Sequence, residues 1–578
     1  MQQNKKGTNN SRKVFISVLG TGFYGECQYQ KKNFDGKGND FTSSKTRYIQ
    51  QATLELLTAK EEWTTTDAAY ILTTQQALAT NWDVEKRKDI AYKGLKYVIE
   101  DMKLPFTPET IAIKDGLDET EIWDIFEEIF AVIKEGDELY FDLTHGFRYL
   151  PMLVLVFGNY TKFLKNTRKC SITYGNFEMR QGNIAPIVDL LPLAMLQDWT
   201  YAVADYLQNG YAEQLKKLSM ESLRPILSQK EQTDERATAL KLKNLIGSIC
   251  NVALERQTCR GVSVIESGNV KQLKGNIDNT QDSVIKAFTP LIKKISDSLD
   301  NFDTAPSVLN TLAAARWCFQ NHQYQSATTF LEEGVISFFC ERHGIDYKNE
   351  DLRGLVTSAF TFKKYALSKK DVSYDDWHIK EEHIFAFLRI LNDPMLQDET
   401  LVNCFADFCS TVRNDYNHCG FRSRQQPLDG SKIVAKIDEA IETIKEKLAN
   451  PPSFPSSKDA NPALFVNLTN HPHASWSEEQ IQGGHEYGEI IDLAFPIIEP
   501  EATPEYINTF AAKYAQIIED QASYFNITLH IMGEMTFTYA VVSRLKSLGI
   551  TCLASTTKRN VGVTPDGKEF KFVQFREY

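Results

Sequence analysis

An apolar run that ends in glycines, VFISVLGTG at Val14–Gly22, opens a long stretch of regular alternation. Such a run predicts a buried strand followed by a tight turn. Working outward from it, apolar runs of strand length alternate with segments of helical period as far as about Met195. Repeated βα units favour a parallel sheet with helices on both faces, so residues 1–195 are predicted to form a doubly wound α/β domain.

The individual elements of this first domain can be predicted from periodicity. The strands predicted after the first are Ala68–Leu72, Thr110–Ile113, Leu139–Leu143 and Cys170–Tyr174. The predicted helices are Tyr48–Leu57, Trp82–Glu100, Glu119–Ile133 and Pro151–Phe163.

Beyond Asp189 the strand signals stop and helical periods dominate. We predict a helical connector over 196–304 and a second helical domain over 305–448, followed by a linker rich in Pro and Ser over 449–460. The alternation of strands and helices then resumes, which predicts a small Rossmann-like α/β domain over 461–578. The predicted architecture is therefore multidomain, α/β plus all-α.

The chain of 578 residues carries 64 basic and 76 acidic side chains, a formal net charge of −12. A protein that grips long duplex DNA usually shows a basic footprint, and this chain lacks one globally. Residues 451–578 alone hold 9 basic and 15 acidic side chains. We therefore expect any anionic ligand to be held by a few local donors.

The distribution of cysteine and apolar residues bears on the compartment. The ten cysteines are scattered and form no Cys-x-x-Cys pair, which is typical of reduced thiols and speaks against a structural zinc. The polar N-terminus predicts no signal peptide, and no apolar run is long enough to span a bilayer. We expect a cytoplasmic protein without a membrane partner or a bound metal.

Two segments of the first domain are candidate ligand loops. Gly20-Thr21-Gly22-Phe23-Tyr24-Gly25 spells the dinucleotide fingerprint, but the next residues alternate like a strand where the fingerprint needs a helix. We therefore expect no NAD site there, while a loop that presents backbone N–H groups to a phosphate or ribose stays open.

The second loop, Asp142-Leu143-Thr144-His145-Gly146-Phe147-Arg148, lies between a predicted strand and a helix with Pro151 in its first turn. Open α/β sheets bind ligands at this edge, and helix N-termini there favour anions. Thr144, His145 and Arg148 add donors, and Gly146 allows close backbone approach. The alternative is that Asp142 and Thr144 cap the helix.

The Asp-x-Thr-His-Gly signature, together with Leu19-Gly20-Thr21 and the Thr73…Ala77…Asn81-Trp82 segment, resembles the CRISPR-associated CARF proteins of type III systems. The resemblance covers roughly residues 12–195 and implies a Rossmann-like dimer that senses cyclic oligoadenylate, with the tetramer as the expected ring. The ligand-binding residues it implies are Gly20, Thr21, Gly22, Thr73, Asp142, Thr144, His145, Gly146 and Arg148.

Arg413-Asn414-Asp415-Tyr416-Asn417-His418 follows an amphipathic segment and is closed by Gly420, a plausible helix stop. Arg can hold a phosphate, and His titrates near neutrality, which suffices for metal-free RNA cleavage by the 2′-hydroxyl. In an ideal helix Arg413 and His418 lie roughly 140° apart, so a second copy across a dimer would have to complete the site. A chance Arg–His pair is the alternative reading.

The Arg-Asn-x-x-x-His motif in an all-α segment resembles the HEPN ribonucleases, as do Arg316-Trp317, Gln325-Ser326-Ala327 and Glu332-Glu333 upstream. The resemblance implies that Arg413 and His418 are catalytic, that Asn414 supports them, and that single-stranded RNA is the substrate. Arg422 and Arg424 lie just beyond, as backbone-gripping or merely solvated arginines.

Polar residues follow two strands of the third domain: His471, His473 and Trp476 after the first, Glu534 and Thr536 after the third. They are predicted to meet at one carboxyl edge, where His and Glu can act as base and acid. The alternative is a His-Pro turn and a Glu helix cap. The domain resembles small CRISPR-associated ring nucleases, which implies degradation of cyclic oligoadenylate.

Together these expectations describe a homodimeric or higher oligomeric endoribonuclease of antiviral defence, activated by cyclic oligoadenylate and carrying a fused ring-nuclease-like domain. Two alternatives stay open. One is a non-catalytic regulator that binds the cyclic nucleotide, and the other is an enzyme whose main activity is cyclic oligoadenylate phosphodiesterase.

Overall fold

The structure is a computed structural model that describes residues 11–36, 38–88, 90–146, 148–228, 231, 233–280, 289–368, 379–421, 426–454, 461–561 and 568–578. The chain divides into two compact units, Met1–Tyr201 and Ala202–Tyr578. The finer division into a connector, a helical domain and a third domain stays a prediction. Residues 455–460 of the predicted linker lie outside the described part of the chain.

The first unit is an α/β structure. Its strands are β1 (Lys13–Leu19), β2 (Gln28–Lys31), β3 (Phe41–Thr42), β4 (Ala68–Thr73), β5 (Lys86–Arg87), β6 (Ile90–Ala91), β7 (Glu109–Ala112), β8 (Glu138–Asp142), β9 (Arg168–Gly175) and β10 (Ile184–Asp189). Its helices are α1 (Ile49–Lys60), α2 (Gln75–Ala77), α3 (Leu95–Asp101), α4 (Glu119–Val132), α5 (Leu150–Lys165) and the first part of α6 (Leu191–Asn209).

The main sheet of this unit has eight strands in the order β3-β2-β10-β9-β8-β1-β4-β7. The central strands β9, β8, β1, β4 and β7 run parallel, which confirms the predicted doubly wound, Rossmann-like sheet. Strand β10 pairs antiparallel with β9, and β3 pairs antiparallel with β2. The carboxyl ends of the parallel strands therefore share one edge, where β1 and β8 present their following loops.

Strand β1 contributes buried side chains to two hydrophobic clusters. Val14, Ile16 and Val18 pack in one buried cluster that includes residues of α4 and α5, while Phe15 and Leu19 pack in another that includes residues of α1 and α3. Because successive side chains of a strand point to opposite faces, this continuous apolar run requires a layer of helices on each side. The burial of β1 thus fixes the position of the loop that follows it.

The predicted helix at Trp82–Glu100 is wrong. The structure has a π-type turn at Leu78–Trp82, the short hairpin β5–β6 and the helix α3. Backbone N–H groups of Tyr92 and Gly94 donate to the carbonyls of Glu85 and Val84, which folds the segment back on itself. Charged residues with helical spacing do not form one helix here because this tertiary pairing overrides local propensity.

The second unit begins with helices. They are α7 (Glu213–Leu227), α8 (Asp234–Gln257), α9 (Gly261–Glu266), α10 (Gly268–Asp278), α11 (Thr289–Asp297), α12 (Asn310–Gln320), α13 (Tyr324–Arg342), α14 (Glu350–Ser368), α15 (Ile384–Leu391), α16 (Glu399–Asp407), α17 (Asn414–Asn417) and α18 (Gly430–Ala449). No strand occurs between residues 190 and 462 among the residues described there, in agreement with the predicted all-α region.

The second unit ends in a small α/β segment. Its elements are β11 (Ala463–Thr469), α19 (Glu478–His485), β12 (Glu489–Asp492), α20 (Pro504–Gln521), β13 (Asn526–Met532), α21 (Met535–Ser547), β14 (Thr551–Val561) and β15 (Lys568–Glu577). The sheet order is β12-β11-β13-β14-β15, with parallel pairs up to β14 and an antiparallel last pair. This confirms the predicted small Rossmann-like sheet.

Candidate functional sites

The loop after β8 is organised by a buried carboxylate. Asp142 accepts hydrogen bonds from Ser17 Oγ at 2.6 Å and from Thr144 Oγ1 at 2.5 Å, and the Thr144 hydroxyl in turn accepts from the Gly175 N–H at 2.8 Å. Burial raises the pKa of Asp142, against the opposing effect of these hydrogen bonds. Asp142 and Thr144 therefore tie β1, β8 and β9 together at the carboxyl edge.

The alternative role of these two residues as helix caps is wrong. Helix α5 begins at Leu150 after Tyr149, and that preceding residue makes no side-chain capping bond. Pro151 does lie in the first turn, as predicted. The hydrogen bonds of Asp142 and Thr144 thus hold the loop at its strand end and not at the start of the helix.

His145 packs against the loop that follows β1. Its ring stacks on Tyr24 with the centroids 4.3 Å apart, and burial lowers the pKa of His145 to about 4. Its Nε2 atom is buried and has no hydrogen-bond partner among the described residues. A Cβ at Gly20 would come within 2.5 Å of the Tyr24 hydroxyl, and one at Gly22 within 2.9 Å of its ring. Both glycines are therefore required for this packing.

The loop that follows β1, residues 20–25, is held in place through its carbonyl groups, and we call it the glycine loop. Asn81 Nδ2 donates to the carbonyls of Gly20 and Gly22 at 2.8 and 2.9 Å. Arg87 donates to the carbonyls of Thr21 and Gly22 at 2.9 and 2.8 Å. Within the described part of the chain, no acceptor binds the N–H group of Thr21, an exposed residue, whereas the backbone groups of Gly20 and Gly22 face the Tyr24 hydroxyl. The loop therefore leaves the Thr21 backbone donor available to an anion.

The other predicted ligand residues of this unit have different settings. Thr73 is buried, and its hydroxyl donates to the Ile111 carbonyl at 3.5 Å. Gly146 lies against Leu150, whose side chain a Cβ would approach within 2.8 Å. Arg148 is exposed. The structure thus brings Gly20, Gly22 and His145 together, whereas Thr73 belongs to the packing between strands.

The candidate ribonuclease motif lies where a helix changes its pitch. Helix α16 continues into a π-type turn at Phe408–Arg413, and α17 ends at Asn417. His418 is the first residue after α17, and Gly420 adopts the left-handed conformation with φ of +74°, as its predicted role as a helix stop requires. π-type turns of this kind are frequent at functional sites.

Arg413 is held from two sides, while His418 faces solvent. Arg413 Nε lies 2.7 Å from Glu332 Oε2 on α13, and Arg413 Nη1 donates to Asn414 Oδ1 at 2.9 Å. Burial raises the pKa of Glu332, against the opposing effect of the Arg413 charge. His418 is exposed, and no described residue hydrogen bonds to its imidazole. Asn414 therefore contacts the arginine directly, and the supporting role predicted for it stays a prediction.

Arg422 and Arg424 lie outside the described residues. Sequence reasoning names Glu332 as part of the helical resemblance but gives it no partner. A buried carboxylate on a neighbouring helix is the signal that identifies where Arg413 is anchored.

A row of polar side chains crosses the C-terminal sheet. Asp492, Asn467 and His530 stand opposite one another on β12, β11 and β13. Asn467 Nδ2 lies 2.6 Å from Asp492 Oδ1, Asn467 Oδ1 lies 2.9 Å from His530 Nδ1, and His530 Nε2 lies 2.6 Å from Ser555 Oγ. We call these four residues the polar row. Burial lowers the pKa of His530 to about 4.

The predicted residues after β11 adjoin this row. His473 Nδ1 lies 2.9 Å from Asp492 Oδ2, and Trp476 Nε1 donates to the His471 carbonyl at 3.1 Å. Burial alone would raise the pKa of Asp492, but hydrogen bonds from His473 and Asn467 outweigh it and lower the pKa. His473 and Trp476 therefore contact the row directly or through a neighbour, whereas the His471 side chain is exposed.

The predicted pair after β13 forms a helix cap. Glu534 accepts from the N–H groups of Thr536 and Phe537 at 3.1 and 2.7 Å, and from the Thr536 hydroxyl. The bond from Phe537 N–H contributes most to a lowered pKa of Glu534. These contacts confirm the alternative interpretation, in which the Glu534 carboxylate caps the N-terminus of α21.

The residues that the structure describes contain neither a candidate metal site nor a candidate membrane span. No group of three or more His, Cys, Asp or Glu side chains in that part of the chain could hold a metal ion. Likewise, no helix described in the structure is long and apolar enough to cross a membrane.

Comparison with known proteins separates the two ends of the chain. Residues 14–178 match the model of the CARF domain of the CRISPR system endoribonuclease Csx1. Residues 463–576 match the model of the uncharacterized protein MJ1673 family. The glycine loop and the loop after β8 both fall within the first match.

One curated relative and one solved structure are similar over larger parts of the chain. The CRISPR-associated protein MJ1674 of Methanocaldococcus jannaschii is 27% identical over 273 residues, which cover 45% of this chain and 39% of that protein. The matched region thus spans about two fifths of the relative's length.

The Csm6 structure from Enterococcus italicus, bound to cyclic hexa-2′-fluoro-hexa-dAMP, covers 76% of this chain and 94% of its own. The identity is 12% and the TM-score 0.37. Residues 14–178 are therefore similar to the CARF domain of the Csx1 family, and the chain is similar over part of its length to a CRISPR-associated protein.

Proposed function

We propose that the protein is a cyclic-oligoadenylate-activated endoribonuclease that cleaves single-stranded RNA without metal in type III CRISPR antiviral defence. The observation that carries this proposal is the CARF match at residues 14–178, which includes a loop whose Thr21 N–H group is available at the carboxyl edge. The activator is expected to be the cyclic tetraadenylate. The protein would act as a homodimer or a higher oligomer in the cytoplasm.

The activator site combines neutral donors with little fixed charge. The N–H group of Thr21 suits a phosphate oxygen, and Arg148 is exposed at the same edge. His145 is held neutral by burial, so it would contact the ligand as a hydrogen-bonding or stacking group rather than as a cation. Binding has to favour one arrangement of the dimer over another, because differential affinity alone shifts an equilibrium.

The cleavage step would use the RNA's own 2′-hydroxyl. It attacks the adjacent phosphorus, the bond to the 5′-oxygen breaks, and a 2′,3′-cyclic phosphate and a 5′-hydroxyl result. His418 would exchange protons with the attacking or leaving oxygen, and Arg413 would bind the phosphate. The contact between Arg413 and Glu332 supports this assignment, because it places the guanidinium in a defined orientation.

The test uses His418→Ala in the full chain with cyclic tetraadenylate present. We expect loss of RNA cleavage by at least a hundredfold, with binding of the cyclic nucleotide unchanged. His322→Ala, which alters an exposed histidine elsewhere in the helical region, is the control and should cleave normally. Full activity of His418→Ala would refute the assignment of the site.

Two other functions are distinguished by the same material. If purified protein binds the cyclic nucleotide but never cuts RNA, it is a non-catalytic regulator. If it opens the ring while RNA stays intact, cyclic oligoadenylate phosphodiesterase is its main activity.

We further propose that residues 461–578 degrade the activator. Support comes from the polar row and from His473, which gather near the carboxyl edge of the C-terminal sheet. The full chain should convert cyclic oligoadenylate to a linear product. Thr144→Ala, which alters the loop after β8, distinguishes opening of the ring by the first unit from opening of the ring by the second unit.

A further inference from the structure

The hydrogen bonds within the polar row determine which of its atoms carry protons. Asn467 Nδ2 faces two groups that can accept from it, the His471 carbonyl and the Asp492 carboxylate, at 2.9 and 2.6 Å. The Asn467 oxygen must therefore face His530 Nδ1, which has to donate to it. With the proton on Nδ1, His530 Nε2 is an acceptor, so Ser555 donates its hydroxyl proton to that nitrogen.

This is the geometry of an activated hydroxyl. The base lies 2.6 Å from Ser555 Oγ and is oriented by Asn467, which is oriented in turn by Asp492. A nucleophile within hydrogen-bond reach of a base, with that base fixed by a third group, is the arrangement used in nucleophilic catalysis. Burial keeps His530 neutral at physiological pH, the form that can accept a proton.

The surroundings of Ser555 add a donor for a developing negative charge. Its own N–H points at Met532 Sδ, 3.2 Å away, and a thioether is a weak acceptor that an oxyanion would displace. Pairing of β14 with β13 ends at Leu553, so Ser555 lies beyond the paired part, at the carboxyl edge. The register of β14 and β15 shifts between Thr556 and Thr557, and such irregularities often lie beside active sites.

We propose that Ser555 is the nucleophile of the C-terminal site, with His530 as its general base, and that the substrate class is a phosphodiester. The class rests on the proposed degradation of cyclic oligoadenylate. Ser555 Oγ forms a bond to phosphorus, the bond from phosphorus to the 5′-oxygen breaks, and the Oγ proton passes through His530 Nε2 to that oxygen. Water then hydrolyses the phosphoserine, which leaves a linear oligoadenylate with a 3′-phosphate. Asn467 and Asp492 are positioning residues.

The nucleophile can be tested without any substrate. A fluorophosphonate reacts with an activated serine to form an Oγ–phosphorus bond with loss of fluoride. We expect the full-length protein to be labelled at Ser555, and Ser555→Ala to lose at least nine tenths of the label. Ser547→Ala, which changes an exposed serine on α21, should be labelled like the parent. Absence of label on the parent protein, or undiminished label on Ser555→Ala, overturns the proposal.

Loss of label through misfolding is controlled by a second variant. Ser555→Cys keeps a hydrogen-bond partner for His530 and offers a thiolate to the same base. It should keep the melting temperature of the parent, and its introduced thiol should react with iodoacetamide at least tenfold faster than the exposed Cys419. An introduced thiol that reacts no faster than Cys419 would contradict activation by His530.

The substrate class is tested with cyclic tetra- and hexa-adenylate and with analogues that carry 2′-fluorine in place of the 2′-hydroxyl. A serine nucleophile opens both kinds of ring, within about tenfold of the same rate, and the linear product from the natural ring ends in a 3′-phosphate. A 2′,3′-cyclic phosphate product with the fluorinated rings intact would assign the attack to the substrate and overturn the proposal. Labelled Ser555 with no ring opened would refute the phosphodiester class and the proposed degradation, while the nucleophile itself would stand.

Discussion

Asn81 holds the glycine loop in its conformation and does not itself need to contact a ligand. Its amide bridges two loop carbonyls, and its oxygen accepts from Arg87 and Tyr92 at 2.7 and 2.9 Å. We expect Asn81→Ala to weaken binding of cyclic tetraadenylate by about tenfold to a hundredfold, the usual scale for supporting residues in a preorganised site. Calorimetry measures the change. Unaltered affinity would show that the loop does not form the site.

Two buried histidines make stability depend on pH. The pKa values of His145 and His530 are both lowered by burial to about 4, from the ordinary 6.5. Below about pH 6.5 the two histidines bind protons in the unfolded chain but not in the folded chain. The free energy of unfolding is therefore highest above that pH and decreases as the pH falls towards 4. Each histidine contributes up to about 3 kcal/mol of this loss.

The measurement is denaturant unfolding between pH 7.5 and pH 4.5. His530→Gln should show a shallower loss of stability with falling pH than the parent, whatever its absolute stability, because one titrating group has been removed. An identical slope in the variant would contradict the assigned burial.

The polar row and the residues that adjoin it show which site residues can be predicted from the sequence and which cannot. His473 and Trp476 are predictable because they follow a strand, where ligand sites are common. Asn467 and His530 lie within strands whose neighbours are apolar, so the pattern there indicates only core strands. A polar side chain inside a buried strand is itself a signal, but its partners come from strands distant in sequence and cannot be deduced from spacing.

At the scale of elements, the parallel strands are predictable because each is a continuous apolar run bounded by turn residues. The predicted Leu139–Leu143 differs from β8 by one residue at either end, and the predicted Ala68–Leu72 differs from β4 by one residue at its C-terminal end. The segment from Trp82 to Glu100 is not predictable, because its hairpin depends on a close backbone approach that leaves no periodic pattern.

Gly94 marks that close approach and permits a test. A Cβ there would come within 2.3 Å of the Trp82 carbonyl oxygen, so Gly94→Ala should lower the stability by about 1–3 kcal/mol, the scale of overpacking. Gly247→Ala on α8 is the control, since no atom lies within 4 Å of its added methyl group. Thermal unfolding should show a lower melting temperature for the first variant. An equal response of the two would argue against the hairpin.

At the scale of the whole molecule, we expect the proposed activity to depend on a second copy of the chain. Helix α5 exposes Met152, Val156 and Phe163 on one face, with exposed fractions of 67%, 58% and 86%. Exposed apolar stripes of this kind mark interaction surfaces. We expect a second copy of this chain to cover the face in the predicted homodimer.

Val156→Glu should therefore shift the molar mass measured by light scattering from dimer to monomer and reduce activated RNA cleavage at least tenfold. Lys60→Glu, an exposed charge change on α1, is the control and should remain dimeric. A dimeric Val156→Glu protein would place the interface elsewhere.

The net charge of −12 takes on a more specific meaning at this scale. It does not oppose the proposed RNA substrate, because the candidate site offers one oriented arginine and one exposed histidine rather than a basic surface. It does predict that any binding of the protein to long duplex DNA is weak and non-specific.

We expect a cyclic oligoadenylate to activate a metal-independent ribonuclease in this protein. The test is cleavage of a fluorescent single-stranded RNA in EDTA, without activator and with cyclic tri-, tetra- and hexa-adenylate side by side. One ring, expected to be the tetramer, should raise the rate at least a hundredfold while the basal rate stays low. RNA that remains intact with all three rings, or a rate that none of them changes, would contradict this expectation.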